Sequence, residues 1–186
     1  DRAAELINQG EKVLIWSSFV ANVERIAQRL SHFGSEYIHG GIETEKESPN
    51  EDWEWEDLES REAKIKRFKE DDSINVLVAN PAAAAESMSL HHVCNHALYC
   101  DRTYNAGHFL QSQKRIHRLT EGEDKPKTIE IFSLEVRASI DYHVDKRLAE
   151  KCFALSAFLN ESELTLDWLN NSYDEYYSNF SSVDDN

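Results

Sequence analysis

The chain has 186 residues, a hydrophobic fraction of 40% and a formal net charge of −15 at pH 7. This length fits one domain with an appended tail, and the apolar fraction is large enough for a buried core. The excess of acid argues against broad nucleic-acid binding, because neutralising phosphates requires clustered Lys and Arg. Two segments, 61–69 and 102–118, are locally basic, so the composition leaves room for a small cationic surface.

The three cysteines, Cys94, Cys100 and Cys152, form no Cys-x-x-Cys pair. Their odd number and their spacing indicate neither a disulfide framework nor a zinc ribbon, and we expect a reducing, cytoplasmic setting. No apolar run approaches the roughly 20 residues that cross a bilayer, and no basic-then-apolar leader opens the chain. We therefore expect a soluble protein.

Apolar residues recur along the chain with alternating helical and strand-like spacing. The spacing predicts helices at 2–8, 20–33, 61–68, 108–117 and 139–159, and strands at 12–16, 36–39, 74–79, 97–100 and 128–132. Several of the strands are continuous apolar runs, which is typical of a parallel sheet covered on both faces. The alternation indicates right-handed βαβ units, so the predicted fold class is α/β with an open parallel sheet.

The order of the predicted elements also gives the expected limits of the domains. We interpret 1–138 as the sheet domain and 139–177 as a helical extension, and we expect residues 178–186 to form a disordered tail. In the extension, the helix at 139–159 should bury one side, formed by Ile140, Val144, Leu148, Phe153 and Leu155. Residues 42–60 form an acidic insertion with no clear period, in which Trp53 and Trp55 serve as a loop anchor or as a docking feature for a protein partner.

The most informative stretch of the sequence runs from Leu110 to Arg118 and reads LQSQKRIHR. Arg115 and Arg118 are three residues apart, so in a helix both guanidinium groups leave the same face, and Gln111 lies four residues before Arg115 on that face. Arginine carries a permanent planar charge that suits phosphate oxygens and is the residue used as a finger on a transferring phosphoryl group. Taken alone, the two arginines would more often be solvated or salt-bridged helix residues.

Five segments occur in the order found in one known family. They are KVLIWSSF at 12–19, YIHGG at 37–41, the Arg-then-Phe helix at 61–68, VLVANPAAAAESMSL at 76–90 and the arginine stretch. This set resembles the C-terminal, second RecA-like lobe of superfamily 2 helicases and translocases, most closely the Swi/Snf-type branch. The resemblance implies a RecA-like open parallel sheet with helices on both faces, followed by a C-terminal helical extension.

The resemblance also implies roles for individual residues. Arg118 matches the arginine finger and Arg115 a second arginine directed at the phosphates, with Gln111 seating them. Glu86 and Ser87 fall in the segment that meets the nucleotide. Nucleic-acid contacts are implied for the residues that follow two of the strands, namely Ser17, Ser18, Asn80 and Ala82. For Ser17 and Ser18, a simple helix N-cap remains an alternative.

The nucleotide cradle is missing from this sequence, since it contains neither a G-x-x-x-x-G-K-[ST] loop nor an acidic magnesium-binding run. The resemblance therefore implies that ATP and Mg²⁺ are held mainly by an N-terminal RecA-like lobe preceding Asp1 in the same polypeptide. We expect this chain to be an excised part of that protein and to be inactive by itself. We also expect it to bind DNA only weakly and with strong dependence on salt.

The sequence departs from the family in the segment after the third predicted strand. Glycines that would let backbone approach a phosphate are replaced by Ala83, Ala84, Ala85 and Ser87, and Glu86 adds a carboxylate. An alternative is therefore a catalytically degenerate lobe that acts as a protein-interaction or regulatory module. A helicase directed at RNA is a third interpretation, because no residue here distinguishes the two sugars.

A cluster of His and Cys lies between residues 91 and 100. It contains His91, His92, Cys94, His96 and Cys100, but no pair has zinc-finger spacing and the strand pattern sends alternate residues to opposite faces. We therefore expect no metal site.

Overall fold

The computed structural model describes residues 2–43, 60–83, 88–116, 129–136 and 139–159. Residues 44–59 of the predicted acidic insertion, with the two tryptophans at 53 and 55, and the tail beyond residue 159 lie outside this part of the chain. In chain order the elements are α1 (Arg2–Asn8), β1 (Val13–Trp16), α2 (Val20–Arg29), β2 (Ser35–Ile38), α3 (Arg61–Glu70), β3 (Val76–Ala79), β4 (His96–Tyr99), α4 (Ala106–Gln113), β5 (Glu130–Ser133) and α5 (Ile140–Leu159).

The five strands form one parallel sheet in the order β2-β3-β1-β4-β5. β1 lies at the centre, and all four of its residues are buried, as are those of β3. In register, Trp16 pairs with Ala79 on one side and with Tyr99 on the other. Since the strands are parallel and aligned, the residues that follow them meet at one edge of the sheet.

Helices cover both faces of the sheet, as predicted. On one face α1 and α2 bury Leu6, Val23 and Ala27 against Val13, Ile15, Val76 and Val78. On the other face α3, α4 and α5 contribute Ile65, Phe68, Phe109, Leu110, Leu148 and Cys152 to a larger cluster with Leu14, Trp16 and Leu77. This burial on both sides explains why the strand sequences are continuous apolar runs.

Polar side chains mark where two of the helices begin and where one ends. Ser60 Oγ accepts a hydrogen bond from the Ala63 N–H at the start of α3, and Asn105 Oδ1 accepts one from the His108 N–H at the start of α4. Lys12 Nζ donates to the carbonyl oxygens of Phe68, Asp71 and Ile74 at 2.6, 2.9 and 3.0 Å. A cation at the carboxyl end of a helix satisfies its unpaired carbonyls and complements its dipole, so Lys12 ties β1 to α3.

Three helix predictions were wrong in detail. The helix predicted at 20–33 ends at Arg29, and a 3₁₀ turn at Ser31–Phe33 follows before Gly34. The helix predicted at 108–117 begins at Ala106, because Asn105 caps it, and ends at Gln113. On α5 the side that packs on the core is Val144, Leu148, Cys152 and Leu155, whereas Ile140 and Phe153 are 64% and 67% exposed.

Candidate functional site

The point where the connections of the sheet diverge lies between β1 and β4. From β1 the chain runs through α2 to β2 on one side of the sheet, and from β4 it runs through α4 to β5 on the other side. Ligands of open α/β sheets bind in the crevice outside the carboxyl ends of the strands at such a switch point. Ser17 and Ser18 follow β1 there, and Asp101 follows β4.

Asp101 holds the turn between β1 and α2. Its Oδ2 accepts a hydrogen bond from Ser17 Oγ at 2.5 Å, and its Oδ1 accepts one from the Ser18 backbone N–H at 2.7 Å. Ser17 is completely buried. Its hydroxyl is therefore committed to Asp101, and Ser17 positions the turn, while Ser18 is the more exposed of the two predicted nucleic-acid residues.

Asn80 joins the ends of three strands. Its Nδ2 donates to the Ser18 carbonyl at 2.9 Å, its Oδ1 accepts from the Ala82 N–H at 2.9 Å, and its backbone N–H donates to the Ile38 carbonyl at 3.0 Å. Asn80 is only 9% exposed. The structure thus brings together the four residues predicted to contact nucleic acid, but it gives the Asn80 side chain and the Ala82 N–H internal partners.

The first turn of α2 lies at this edge of the sheet and is exposed to solvent. Phe19, at the N-cap, makes no side-chain capping bond to the helix and is 60% exposed. The N–H groups of Asn22 and Val23 both donate to the Phe19 carbonyl, at 2.9 and 3.0 Å. A helix amino terminus carries partial positive charge and suits an anionic oxygen. Ser18 lies beside this terminus, so the edge can chemically accept a phosphate.

Arg115 lies in a turn after α4 and not on the helix itself. Its carbonyl accepts the Leu90 N–H at 2.8 Å, and its Nη1 donates to the Met88 carbonyl at 3.3 Å. The prediction that Arg115 and Gln111 share one helix face was therefore wrong, because α4 ends at Gln113. The turn therefore contacts Met88 and Leu90, which follow the alanine segment in the chain.

The other residues assigned to the nucleotide stand as follows. Gln111 is on α4 and its side chain is exposed to solvent. Arg118, Glu86 and Ser87 lie outside the residues that the structure describes, and so does His117. The roles of these residues stay predictions.

A buried ion pair near this edge was not predicted. Arg102, the residue after Asp101, has a side chain 3% exposed, and its Nη2 donates to Asp145 Oδ2 on α5 at 2.6 Å while its Nε donates to Oδ1. The same Nη2 lies 3.4 Å from the Leu134 carbonyl and 3.6 Å from Glu135 Oε1. Burial, and after it a hydrogen bond with Glu135, raise the pKa of Asp145 to about 7, although Arg102 acts to lower it.

Sequence reasoning had a signal for Asp101 but none for Asp145. Asp101 directly follows a predicted strand, at the same sheet edge as Ser17. Because ligands of open α/β sheets bind at that edge, its position could have predicted a role in the site. Asp145 and Arg102 are 43 residues apart, and nothing in an acidic and a basic residue at that separation predicts that they pair.

In the part of the chain that is described, no group of three His, Cys, Asp or Glu side chains is arranged so that it could hold a metal ion. Cys94 is buried, and its thiol donates to the Lys12 carbonyl at 3.2 Å. Burial raises the pKa of this thiol to about 11. Cys94 therefore behaves as a packing residue.

The sheet order and the helices on both faces define a RecA-like α/β lobe, and comparison with known proteins agrees. The model of the helicase conserved C-terminal domain family matches residues 1–120. The chain therefore belongs to this family, and the predicted recognition as the C-terminal lobe of a superfamily 2 helicase is confirmed.

One solved structure shows how far the likeness in fold extends. The C-terminal part of the Fun30 ATPase domain matches with a TM-score of 0.59 and 21% sequence identity, over 77% of this chain and 41% of that one. The chain thus spans about two-fifths of the length of that relative, and the match confirms the RecA-like α/β fold. No curated protein sequence matches the chain. Among the described helices, none is both long and apolar enough to cross a membrane.

Proposed function

We propose that this chain is the second motor lobe of an ATP-dependent DNA translocase or helicase-like ATPase of the Swi/Snf branch. Arg118 acts as the arginine finger and Arg115 as a second phosphate-directed arginine, toward ATP and Mg²⁺ held mainly by an N-terminal lobe of the same polypeptide. Gln111, Glu86 and Ser87 border that nucleotide. The likeness to the Fun30 lobe supports the choice of branch, and we place the protein in the cytoplasm.

The observation that carries this proposal is the contact between the arginine turn and the segment after the alanine motif. Arg115 uses both its carbonyl and its guanidinium to hold Leu90 and Met88. In a motor lobe, this contact lets a change at the nucleotide reach the strand ends, because the alanine segment begins next to Asn80. Asn80 in turn holds Ser18.

The side chains of this lobe suit a role in which it supplies cationic hydrogen-bond donors to the phosphates while the other lobe holds Mg²⁺. An arginine turn supplies permanent cationic donors for phosphate oxygens and for charge that develops on a transferring phosphoryl group. Mg²⁺ prefers carboxylate oxygens, and among the described residues no group of three His, Cys, Asp or Glu side chains could hold a metal ion. In this proposal the chain contributes cations, and the magnesium ligands belong to the partner lobe.

The mechanism we infer is closure of a cleft between the two lobes. Nucleotide binding draws the arginine turn toward the phosphates, while Ser18 and the amino terminus of α2 grip a phosphate of the nucleic-acid backbone. Hydrolysis releases the arginines and lets the lobes separate, which shifts the grip along the strand. The Ser17 hydroxyl does not take part directly, because it already donates its hydrogen bond to Asp101.

The experiment is nucleic-acid-stimulated ATP hydrolysis by the full-length protein, with Arg118→Ala beside the wild type. Losing the finger should lower turnover by about 10³-fold while ATP binding is largely kept. Arg147→Ala is the matched control, since Arg147 is 68% exposed and its guanidinium pairs with the exposed Glu150 one turn along α5. Equal turnover of Arg118→Ala and wild type would refute the finger role.

A second candidate is a catalytically degenerate lobe that serves as a protein-interaction module, for example through the acidic loop with Trp53 and Trp55. The net charge of −15 favours it, as do exposed apolar side chains around α5, at Leu134, Val136, Ile140, Phe153 and Phe158. A full-length wild type that binds no ATP and hydrolyses none in the presence of nucleic acid would support this function over the motor.

A further inference from the structure

Arg102 and Asp145 form the most buried ion pair among the described residues. The two side chains are 3% and 0% exposed, and two nitrogens of Arg102 each reach one oxygen of the same carboxylate. Such a bidentate ion pair fixes the relative orientation of the guanidinium and the carboxylate as well as the distance between them. It joins the segment after β4 to the second turn of α5.

The same segment carries Asp101, the residue that holds the turn after β1. Asp145 on α5 therefore binds Arg102, and Arg102 is adjacent in the chain to Asp101. Asp101 in turn accepts hydrogen bonds from the Ser17 hydroxyl and the Ser18 N–H. Arg102 also lies 3.4 Å from the Leu134 carbonyl, so the end of β5 is tied to the same point. The edge of the sheet is thus braced from an element outside the 1–120 region that the family model matches.

We infer that Asp145 is a positioning residue for the nucleic-acid grip at Ser18. By holding Arg102, it fixes the backbone on which Asp101 is carried, and Asp101 in turn fixes the Ser18 N–H and the start of α2. This inference deepens the proposed function and rests on it for the identity of the ligand, a nucleic-acid phosphate. The helix α5 then acts as part of the grip's support and not as a separate appendage.

Breaking the pair has a defined structural consequence. A buried Arg102 without its carboxylate partner is an uncompensated cation, which is strongly unfavourable in the interior. The guanidinium must then turn toward solvent, and residues 101–103 move with it. Asp101 can no longer hold both Ser17 and Ser18 in their present geometry, so the turn after β1 loosens while β1 itself keeps its strand partners.

The test uses the full-length protein with Asp145→Asn, which keeps the shape of the side chain and removes its charge. The nucleic-acid concentration giving half-maximal stimulation of ATP hydrolysis should rise about tenfold, as expected when two packed and coupled residues are separated. The KM for ATP should change by less than about twofold, since Asp145 acts through its hydrogen bonds with Arg102, which lead to the turn after β1. Glu150→Gln is the control on the exposed side of the same helix.

Amide hydrogen exchange gives a second readout that does not depend on activity. In Asp145→Asn the amides of residues 17–20 should exchange faster than in the wild type, while those of β1 stay protected. Unchanged exchange at 17–20 together with an unchanged half-stimulating concentration would overturn the inference. A wild type without stimulated hydrolysis would refute the proposed function alone, because the exchange experiment would still decide the role of Asp145.

A double variant, Arg102→Met with Asp145→Leu, keeps the inference testable if Asp145→Asn does not fold. Apolar residues of similar volume commonly replace a buried ion pair without loss of stability, so α5 should stay docked. The turn at 17–20 should nevertheless exchange faster, since the directional bonds are gone. Wild-type protection there in the folded double variant would show that packing alone positions the grip and would overturn the inference.

Discussion

The hydroxyl of Ser17 donates a 2.5 Å hydrogen bond to the carboxylate of Asp101, and this bond closes the switch point between β1 and β4. The two residues are 84 positions apart in sequence. Because the second oxygen of Asp101 accepts the Ser18 N–H, a single carboxylate determines the geometry of the turn that leads into α2. This arrangement fixes the amino terminus of α2 and the Ser18 side chain at the edge of the sheet where a ligand would bind.

Replacing Asp101 should destabilise the lobe in a graded way. Asp101→Ala leaves the buried Ser17 hydroxyl without its acceptor and should lower the free energy of unfolding by about 2 kcal/mol. Asp101→Asn keeps one acceptor oxygen and should cost less. Urea denaturation of the wild type, Asp101→Asn and Asp101→Ala measures their free energies of unfolding, which should decrease in that order. Asp72→Ala, at an exposed turn, is the control and should change stability by less than about 0.5 kcal/mol. Equal stability of Asp101→Ala and wild type would show that the bond contributes nothing.

The raised pKa of Asp145 predicts a specific dependence of stability on pH. The pKa of this carboxyl is about 7 in the folded protein, against an ordinary value of 3.8, so between these two pH values the folded state binds the proton more tightly than the unfolded state. Its contribution to stability is present at low pH and is lost as the pH rises toward and through 7. The measurement is urea unfolding of wild type and Asp145→Asn from pH 5 to 8.

The wild type should lose stability relative to Asp145→Asn as the pH rises over that range. Burial is the main cause of the shift, and the hydrogen bond with Glu135 adds to it, whereas Arg102 opposes both. A difference in unfolding free energy between the two proteins that stays constant with pH would contradict the shift.

The buried pair of Tyr99 and Ser112 should respond asymmetrically to mutation. Their hydroxyl oxygens are 2.5 Å apart, and Ser112 Oγ donates its only proton to the Phe109 carbonyl at 2.6 Å. Tyr99 is therefore the donor in the pair, and burial raises the pKa of its phenol so that it keeps its proton. Ser112→Ala leaves this donor buried without an acceptor and should cost about 1–3 kcal/mol.

Tyr99→Phe removes the donor itself, and Ser112 keeps its bond to Phe109. This change should cost only about 0.5–1.5 kcal/mol. Thermal or urea unfolding of the two single variants compares them directly. If Tyr99→Phe were the more destabilising variant, the donor assignment would be wrong.

Gly34 should be far less tolerant of substitution than Gly10, although both have a positive φ. At Gly10 (φ 85°) an added Cβ meets no atom within 4 Å, whereas at Gly34 (φ 70°) it would lie 1.8 Å from the Ser73 carbonyl oxygen. Gly10→Ala should therefore cost about 1 kcal/mol, from backbone strain alone. Gly34→Ala adds overpacking and should cost about 3 kcal/mol in total. Equal melting temperatures of the two variants would contradict this difference.

The sequence alone predicted the fold class, the five strands and helices on both faces of the sheet. Burial explains this success, because a strand such as Val13–Trp16 that is covered on both sides must be apolar throughout. The prediction failed at the end of α4, where no local residue stops the helix, and on α5. There, Phe153 is apolar but exposed, since a 20-residue helix carries more apolar residues than its contact with the core can cover.

From the sequence we also predicted which residues are directed at a phosphate, since the order of the motifs and the arginine stretch are local patterns. Only the tertiary structure decided which of these residues are available for a ligand. It committed Ser17 and Asn80 to neighbouring strands, set Arg115 against Met88 and Leu90, and paired Arg102 with Asp145. The physical reason is that a buried polar group takes whatever partner the packing of distant segments places beside it, and that placement has no signature in local sequence.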